Sequence, residues 1–304
     1  FCIWLKIFYT FRTTASMGDV REDATKASGD YAVKLLSEPK ADILAQLQVI
    51  SINNAGLRVL PDDALGFCKQ LVRLDIGGNP LASFPSCIAS LPSLEILFAS
   101  KTEMVDLPEL AQCSRLRMLG VKDNRLTQID GLKLPESLEW LIAAGNEIEE
   151  LPNIARLQKV RKLMLSHNRL KCDALAPVAN IEALEMIRVA ANQLEAFPDA
   201  LLCHPRLAWV AVGGNPFTDK ALEKHLDNGP QCLDYNEVAM KDRLGSGAGA
   251  TVVRGTWRDQ DVAVKIWDSE CFSDGTARNE WAINRVASSP GCPHLVGIRG
   301  AFEE

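Results

Sequence analysis

The chain has 304 residues, 47% hydrophobic and 24% charged, a globular balance that excludes a disordered, collagen-like or coiled-coil polypeptide and leaves room for two domains. Lysines and arginines number 33 against 39 acidic residues, a net charge of −6. The chain as a whole therefore offers no cationic excess to hold nucleic acid phosphates or an anionic membrane.

Nine cysteines, Cys2, Cys68, Cys87, Cys113, Cys172, Cys203, Cys232, Cys271 and Cys292, are scattered without a CxxC pair and read as reduced thiols rather than a disulfide framework or zinc site. No asparagine opens an N-x-Ser/Thr sequon. Both observations point to the cytoplasm. The four histidines share no metal-ligand spacing with cysteines or carboxylates.

In chain order, residues 1–16 open with the apolar FCIWLKIFYTF, which carries Lys6 and is too short for a membrane-spanning helix. It reads as a fragment end or upstream translation before Met17, with a signal-peptide core as the alternative, and it receives no function. Residues 17–46 are expected to form an N-terminal helical cap.

From Leu47 the pattern LxxLxLxxN recurs, starting at Leu47, Leu71, Leu94, Leu116, Leu138, Val160, Leu184 and Leu207. The successive spacings are 24, 23, 22, 22, 22, 24 and 23 residues. The ninth position is Asn79, Asn124, Asn146, Asn168, Asn192 and Asn215, with Ala55 and Thr102 as exceptions. Alternating apolar residues such as Leu116, Leu119 and Val121 predict a short strand whose inward side chains join a continuous core. Each Asn amide is placed to satisfy backbone groups at the bend after the strand, so Ala55 and Thr102 are expected to weaken that ladder. The LPDDAL, FPSCIA, LPELA and FPDALL segments predict short helical returns begun by proline. On these motifs, residues 47–226 resemble the leucine-rich repeat family with eight repeats, which implies a curved solenoid with a parallel sheet on its concave side.

Side chains between the leucines then face the concavity. Ile96, Phe98, Met118, Trp140, Ile142, Met164, Met186 and Trp209 are expected to form an exposed apolar stripe there, a groove for a protein ligand or a surface covered within the same molecule.

Residues 218–243 are charged and broken by Gly229-Pro230, and no membrane span fits within them. The remainder, residues 227–304, is read as a linker and an incomplete kinase small lobe. LGSGAGATVVRGTWRDQDVAVKIW, residues 244–267, resembles the start of a protein kinase domain of the tyrosine-kinase-like serine/threonine group. That resemblance implies an ATP site. Leu244, Gly245, Gly247 and Val252 would form the glycine-rich loop and cover the base, and Ala263 would line the adenine pocket. Lys265, twenty residues after Gly245, would pair with the phosphates. Glu280, fifteen residues further on in ARNEWAINRVA, is the candidate partner of Lys265, with Glu270 as competitor. Ala250 stands where the third glycine is expected and Gly249 where an aromatic residue is common.

The fold class expected is thus α/β: a leucine-rich repeat solenoid followed by a partial protein kinase N-lobe of antiparallel sheet plus one helix. The 39 residues after Lys265, ending in HLVGIRGAFEE, contain no HRD or DFG motif. A longer parent would be an ATP-dependent protein kinase acting on a protein substrate, with magnesium bound only there, while this chain alone is expected to be inactive. The alternatives are a repeat scaffold carrying a pseudokinase, and a non-enzymatic repeat protein in which the glycine loop is accidental.

Overall fold

A computed structural model describes residues 25–81, 84–226, 234–247, 250–267, 271–272, 275–276 and 279–281. The opening segment 1–16, Glu270 and the final HLVGIRGAFEE lie outside the described residues.

Nine short strands form one parallel sheet in strict sequence order. They are β1 (Lys26–Ser28), β2 (Val49–Ser51), β3 (Arg73–Asp75), β4 (Ile96–Phe98), β5 (Met118–Gly120), β6 (Trp140–Ile142), β7 (Lys162–Met164), β8 (Met186–Arg188) and β9 (Trp209–Ala211). Each of β2 to β9 holds the middle of one LxxLxLxxN unit. In β2 to β8 the leucine-type residue at the centre, such as Leu119, Leu141 or Leu163, is fully buried, whereas Val210 at the centre of the terminal β9 is 40% exposed. Burying one such side chain is worth about 1.5–3 kcal/mol, and the column of them makes the core continuous from repeat to repeat.

The sheet has one strand more than the eight repeats predict. β1 lies in the expected helical cap, pairs in parallel with β2, and is followed by the helix Gly29–Ser37. Ala27 is its one buried residue, so a three-residue strand with a single small inward side chain leaves no periodic trace.

The asparagines tie each bend to the preceding repeat. Asn168 Nδ2 donates to the carbonyls of Leu165 at 2.9 Å and Ala143 at 3.0 Å, while its Oδ1 accepts the Ile148 N–H at 3.0 Å. Asn79, Asn124, Asn146, Asn192 and Asn215 repeat this use of their amides. The expected weak point at Thr102 is compensated: the single proton of its buried hydroxyl is shared between the Ala99 carbonyl at 3.0 Å and Asn124 Oδ1 at 3.1 Å. At Ala55 the backbone N–H is taken by Asn79 Oδ1 at 3.0 Å, so the neighbouring rung supplies the acceptor. The residue before each ladder position is left-handed, from Asn54 through Gly78, Lys101, Asp123, Gly145, His167 and Ala191 to Gly214. The turn demands that geometry whether or not glycine is there.

Returns on the opposite side are short. Pro61, Pro85 and Pro198 lie in extended backbone immediately before the turns Asp62–Gly66, Ser86–Ser90 and Asp199–Leu202. Proline therefore precedes these turns instead of occupying their first residue. LPELA forms no helix, and its Leu110 N–H goes to the Lys133 carbonyl of the next repeat at 2.8 Å. After β9 comes the helix Pro216–Leu226.

A second sheet is antiparallel, β10 (Val238–Gly247), β11 (Ala250–Trp257) and β12 (Gln260–Trp267). Arg258 and Asp259 join the last two with positive φ of 47° and 60°, the sense of a two-residue turn that matches strand twist. The pair β13 (Cys271–Phe272) and β14 (Gly275–Thr276) comes next, and residues 279–281 are helical. No described helix is long and apolar enough to cross a membrane.

Candidate functional site

The concave face is built by two in-register columns. One runs Ile96, Met118, Trp140, Lys162, Met186, Trp209, and the other Phe98, Gly120, Ile142, Met164, Arg188, Ala211. The sequence predicts eight exposed apolar residues here, and the structure corrects that. Only Trp209 is exposed, at 46%, while Ile96, Phe98, Met118, Trp140, Ile142, Met164 and Met186 are half-buried. Adjacent strands lie only about 4.8 Å apart, so large side chains in one column shield one another. Phe98 lies over Gly120, where a β-carbon would come within 2.5 Å of the ring.

Cations complete the correction. Lys162 Nζ sits 3.7 Å from the Trp140 ring centroid, Arg73 covers Phe98 at 5.1 Å and Arg188 covers Trp209 at 5.5 Å. Burial, and then the neighbouring Arg161 charge, hold the Lys162 ammonium below the usual lysine range. The face is therefore a mosaic of aromatic rings under cations, not an apolar stripe.

Beside it, Arg117 grips Glu139 at 2.9 and 3.0 Å, and Arg161 grips Glu185 at 2.9 and 2.8 Å. These guanidinium bonds hold both carboxyls below the usual glutamate range.

The antiparallel sheet carries the other candidate site. Paired residues share a face, and the register sets Gly245 opposite Val252 and Val252 opposite Lys265. Ala263, two positions before Lys265, lies on the same face. Lys265 Nζ is ion-paired with Glu280 Oε1. Trp267 Nε1 donates to the other carboxylate oxygen at 3.5 Å, and the Lys265 ammonium lies 5.5 Å from the Trp267 ring centroid. Glu280 is thus addressed twice from β12. Sequence reasoning missed Trp267, although its place two residues from Lys265 puts it on the same strand face.

Leu244 and Ala263 are exposed, and a side chain at Gly245 would meet nothing within 4 Å. Packing does not require glycine there, so its absent side chain leaves backbone open on the face that bears Lys265. Gly247 pairs with Ala250 at the end of the hairpin. An ammonium oriented by a carboxylate, two strands from the open backbone of Gly245, is a donor set of the kind that fits a phosphate group. Among the described residues no group of three or more His, Cys, Asp or Glu comes together as a metal site.

Five cysteines are free thiols: Cys68 and Cys113 are buried, Cys87 and Cys172 half-buried, and Cys203 exposed. Burial pushes the Cys68 and Cys113 thiols up to about 11, and burial followed by the Asp62 hydrogen bond takes Cys87 to about 12.

No protein-family model matches the chain, and no curated protein matches it. Among solved structures it is similar to a leucine-rich repeat protein of Leptospira interrogans, with 24% identity and a TM-score of 0.48 over 62% of this chain and 53% of that one. It is also similar to internalin C2 of Listeria monocytogenes, with 22% identity and a TM-score of 0.46 over 60% of this chain and 90% of that one. The chain spans about half the length of the Leptospira protein. The nine-stranded parallel sheet with its asparagine ladder is typical of a leucine-rich repeat solenoid.

Proposed function

We propose that the chain combines a protein-recognition solenoid with part of the ATP site of a protein kinase, phosphoryl transfer to a protein hydroxyl being the activity of a longer parent. One observation carries the nucleotide reading: Lys265 is paired with Glu280 on the sheet face that also bears Gly245, Val252 and Ala263. ATP would lie against that face. The Lys265 ammonium would hold its α- and β-phosphates, backbone near Gly245 would approach them closely, and Val252 and Ala263 would contact the base. Glu280 keeps the ammonium aimed, so the phosphates meet a charge whose direction is already set. ATP supplies the transferable phosphoryl group, and magnesium would accompany it in the parent. The concave face, with Trp140 and Trp209 under cations, is the surface on which a protein partner would dock, in the cytoplasm.

A binding-only scaffold with a pseudokinase module is the second reading, favoured by Ala250 at the third glycine position. Titration of the chain with a fluorescent ATP analogue tests the site directly. Lys265→Met should weaken binding by tenfold or more, about the loss expected for a charge-assisted phosphate contact of 1.5 kcal/mol. Equal affinity in parent and variant would remove Lys265 from any nucleotide site. In a longer parent that binds ATP, phosphate transfer abolished by Lys265→Met favours the kinase, and no transfer by the parent itself favours the scaffold.

A further inference from the structure

Asn279, the residue next to Glu280, joins the two parts of the molecule by a side-chain hydrogen bond. Asn279 is buried, at 6% exposure. Its Nδ2 donates to Asp219 Oδ1 at 2.7 Å, sixty positions earlier in the chain. Its Oδ1 accepts the Thr276 hydroxyl, and its backbone N–H donates to Thr276 Oγ1 at 3.1 Å.

Asp219 stands in the first turn of the helix Pro216–Leu226, with its N–H bound to the Asn215 carbonyl at 2.9 Å. Asn215 is the last rung of the asparagine ladder, donating to the carbonyls of Val212 at 2.7 Å and Val189 at 2.9 Å. Gly214 borders the same junction. A β-carbon on it would come within 3.3 Å of Asn279 Oδ1 and 3.4 Å of the Thr276 methyl, so the absent side chain lets the two parts approach.

We infer that Asn279 is a positioning residue through which the repeat domain holds Glu280 against Lys265. The path is continuous: ladder to Asn215, Asn215 to the helix bearing Asp219, Asp219 to Asn279, and one peptide bond to Glu280. A buried amide with both its donor and acceptor sides used has one low-energy orientation, which orients the backbone beside it. Glu280 therefore owes its place to the solenoid as well as to its own helix. This deepens the nucleotide-site reading and rests on it only for the ligand.

The test uses the 304-residue chain with Asp219→Ala, Asn279→Ala, the double variant and Asp219→Asn. A fluorescent ATP analogue reads the site, and hydrogen exchange by mass spectrometry reads the amides of residues 279–281. Each alanine variant should bind the nucleotide about three- to tenfold more weakly, the range for one buried hydrogen bond. The double variant should be no worse than either single one, because both break one link. Asp219→Asn keeps an acceptor oxygen and should bind like the parent. Exchange at 279–281 should quicken in both alanine variants while solenoid exchange stays unchanged. Unaltered affinity and exchange in Asp219→Ala, or additive losses in the double variant, would overturn the inference. A parent that binds no nucleotide sinks the nucleotide reading instead. Exchange then decides alone, faster at 279–281 in Asp219→Ala supporting the tether and unchanged exchange overturning it.

Discussion

The solenoid and the antiparallel sheet handle their polar groups in opposite ways. In the solenoid a dense core of leucine-type residues at or near zero exposure is bordered by asparagines whose amides meet backbone partners on both sides. In the three-stranded sheet Val238 and Gly255 are the buried positions among those described, and the buried Thr256 hydroxyl has no hydrogen-bond partner among the described residues. The difference teaches where each region gets its order. Repetition gives the solenoid a core and a satisfied bend in every unit, whereas the sheet depends on what docks against it, including the segment bearing Asn279 and Glu280.

Breaking a rung of the ladder should have the largest effect. Asn168→Ala leaves the Ile148 N–H without its Asn168 acceptor, at about 1–3 kcal/mol for a buried group left unsatisfied, while the Leu165 and Ala143 carbonyls lose one donor each and keep those of Asn192 and Asn146. The expected loss is about 2–3 kcal/mol in urea unfolding followed by far-ultraviolet circular dichroism. Thr102 shows that a hydroxyl can serve a ladder position, so Asn168→Thr should recover part of the loss. Equal stability of the alanine variant and the parent would mean the ladder is decorative.

Sheet polarity predicts a smaller change of the opposite sign. Thr256→Val removes a buried hydroxyl with no partner and keeps the branched shape that suits a strand. Stability of the sheet should rise by about 1 kcal/mol, read as slower hydrogen exchange across Ala250–Trp257. Faster exchange would show that the hydroxyl is used.

The same contrast governs what can be read from the residues alone. Leucines at 22- to 24-residue spacing fix the inward faces, so the repeats, their strands and the asparagine ladder are legible without coordinates. β1 is not, because Ala27 alone carries no period. Concave residues are legible, but their half-burial is not: it depends on in-register columns and on cations such as Lys162, which the alternation of strand residues does not place over a ring. Glu280 as partner of Lys265 is legible only through the resemblance to a kinase domain, which leaves Glu270 as competitor. The Asp219–Asn279 contact cannot, since nothing periodic relates positions sixty residues apart. Thr276-x-x-Asn279 is the available local signal, a helix-cap spacing that marks where the turn begins without saying what lies opposite.

Acid should produce the smallest effect, confined to the solenoid flank where glutamates are gripped by arginines. Glu139 and Glu185 have their carboxyls held below the ordinary value of 4.5, chiefly by hydrogen bonds from Arg117 and Arg161 respectively. A carboxyl whose pKa is lower in the folded chain than in the unfolded one stabilises the fold fully above the unfolded value. That contribution fades as pH falls through the folded value, so the window opens below pH 4.5. The arginines stand in solvent, at 59% and 50% side-chain exposure, which keeps each pair weak and sensitive to salt. Melting temperature measured from about pH 6 to about pH 3 should therefore fall more steeply for the parent than for the double variant Arg117→Gln, Arg161→Gln. High salt should bring the two curves together. Parallel curves at low salt would assign the acid sensitivity to other carboxyls, of which Asp130, held low by the Leu132 N–H and then by the Asn153 amide, is the next to test.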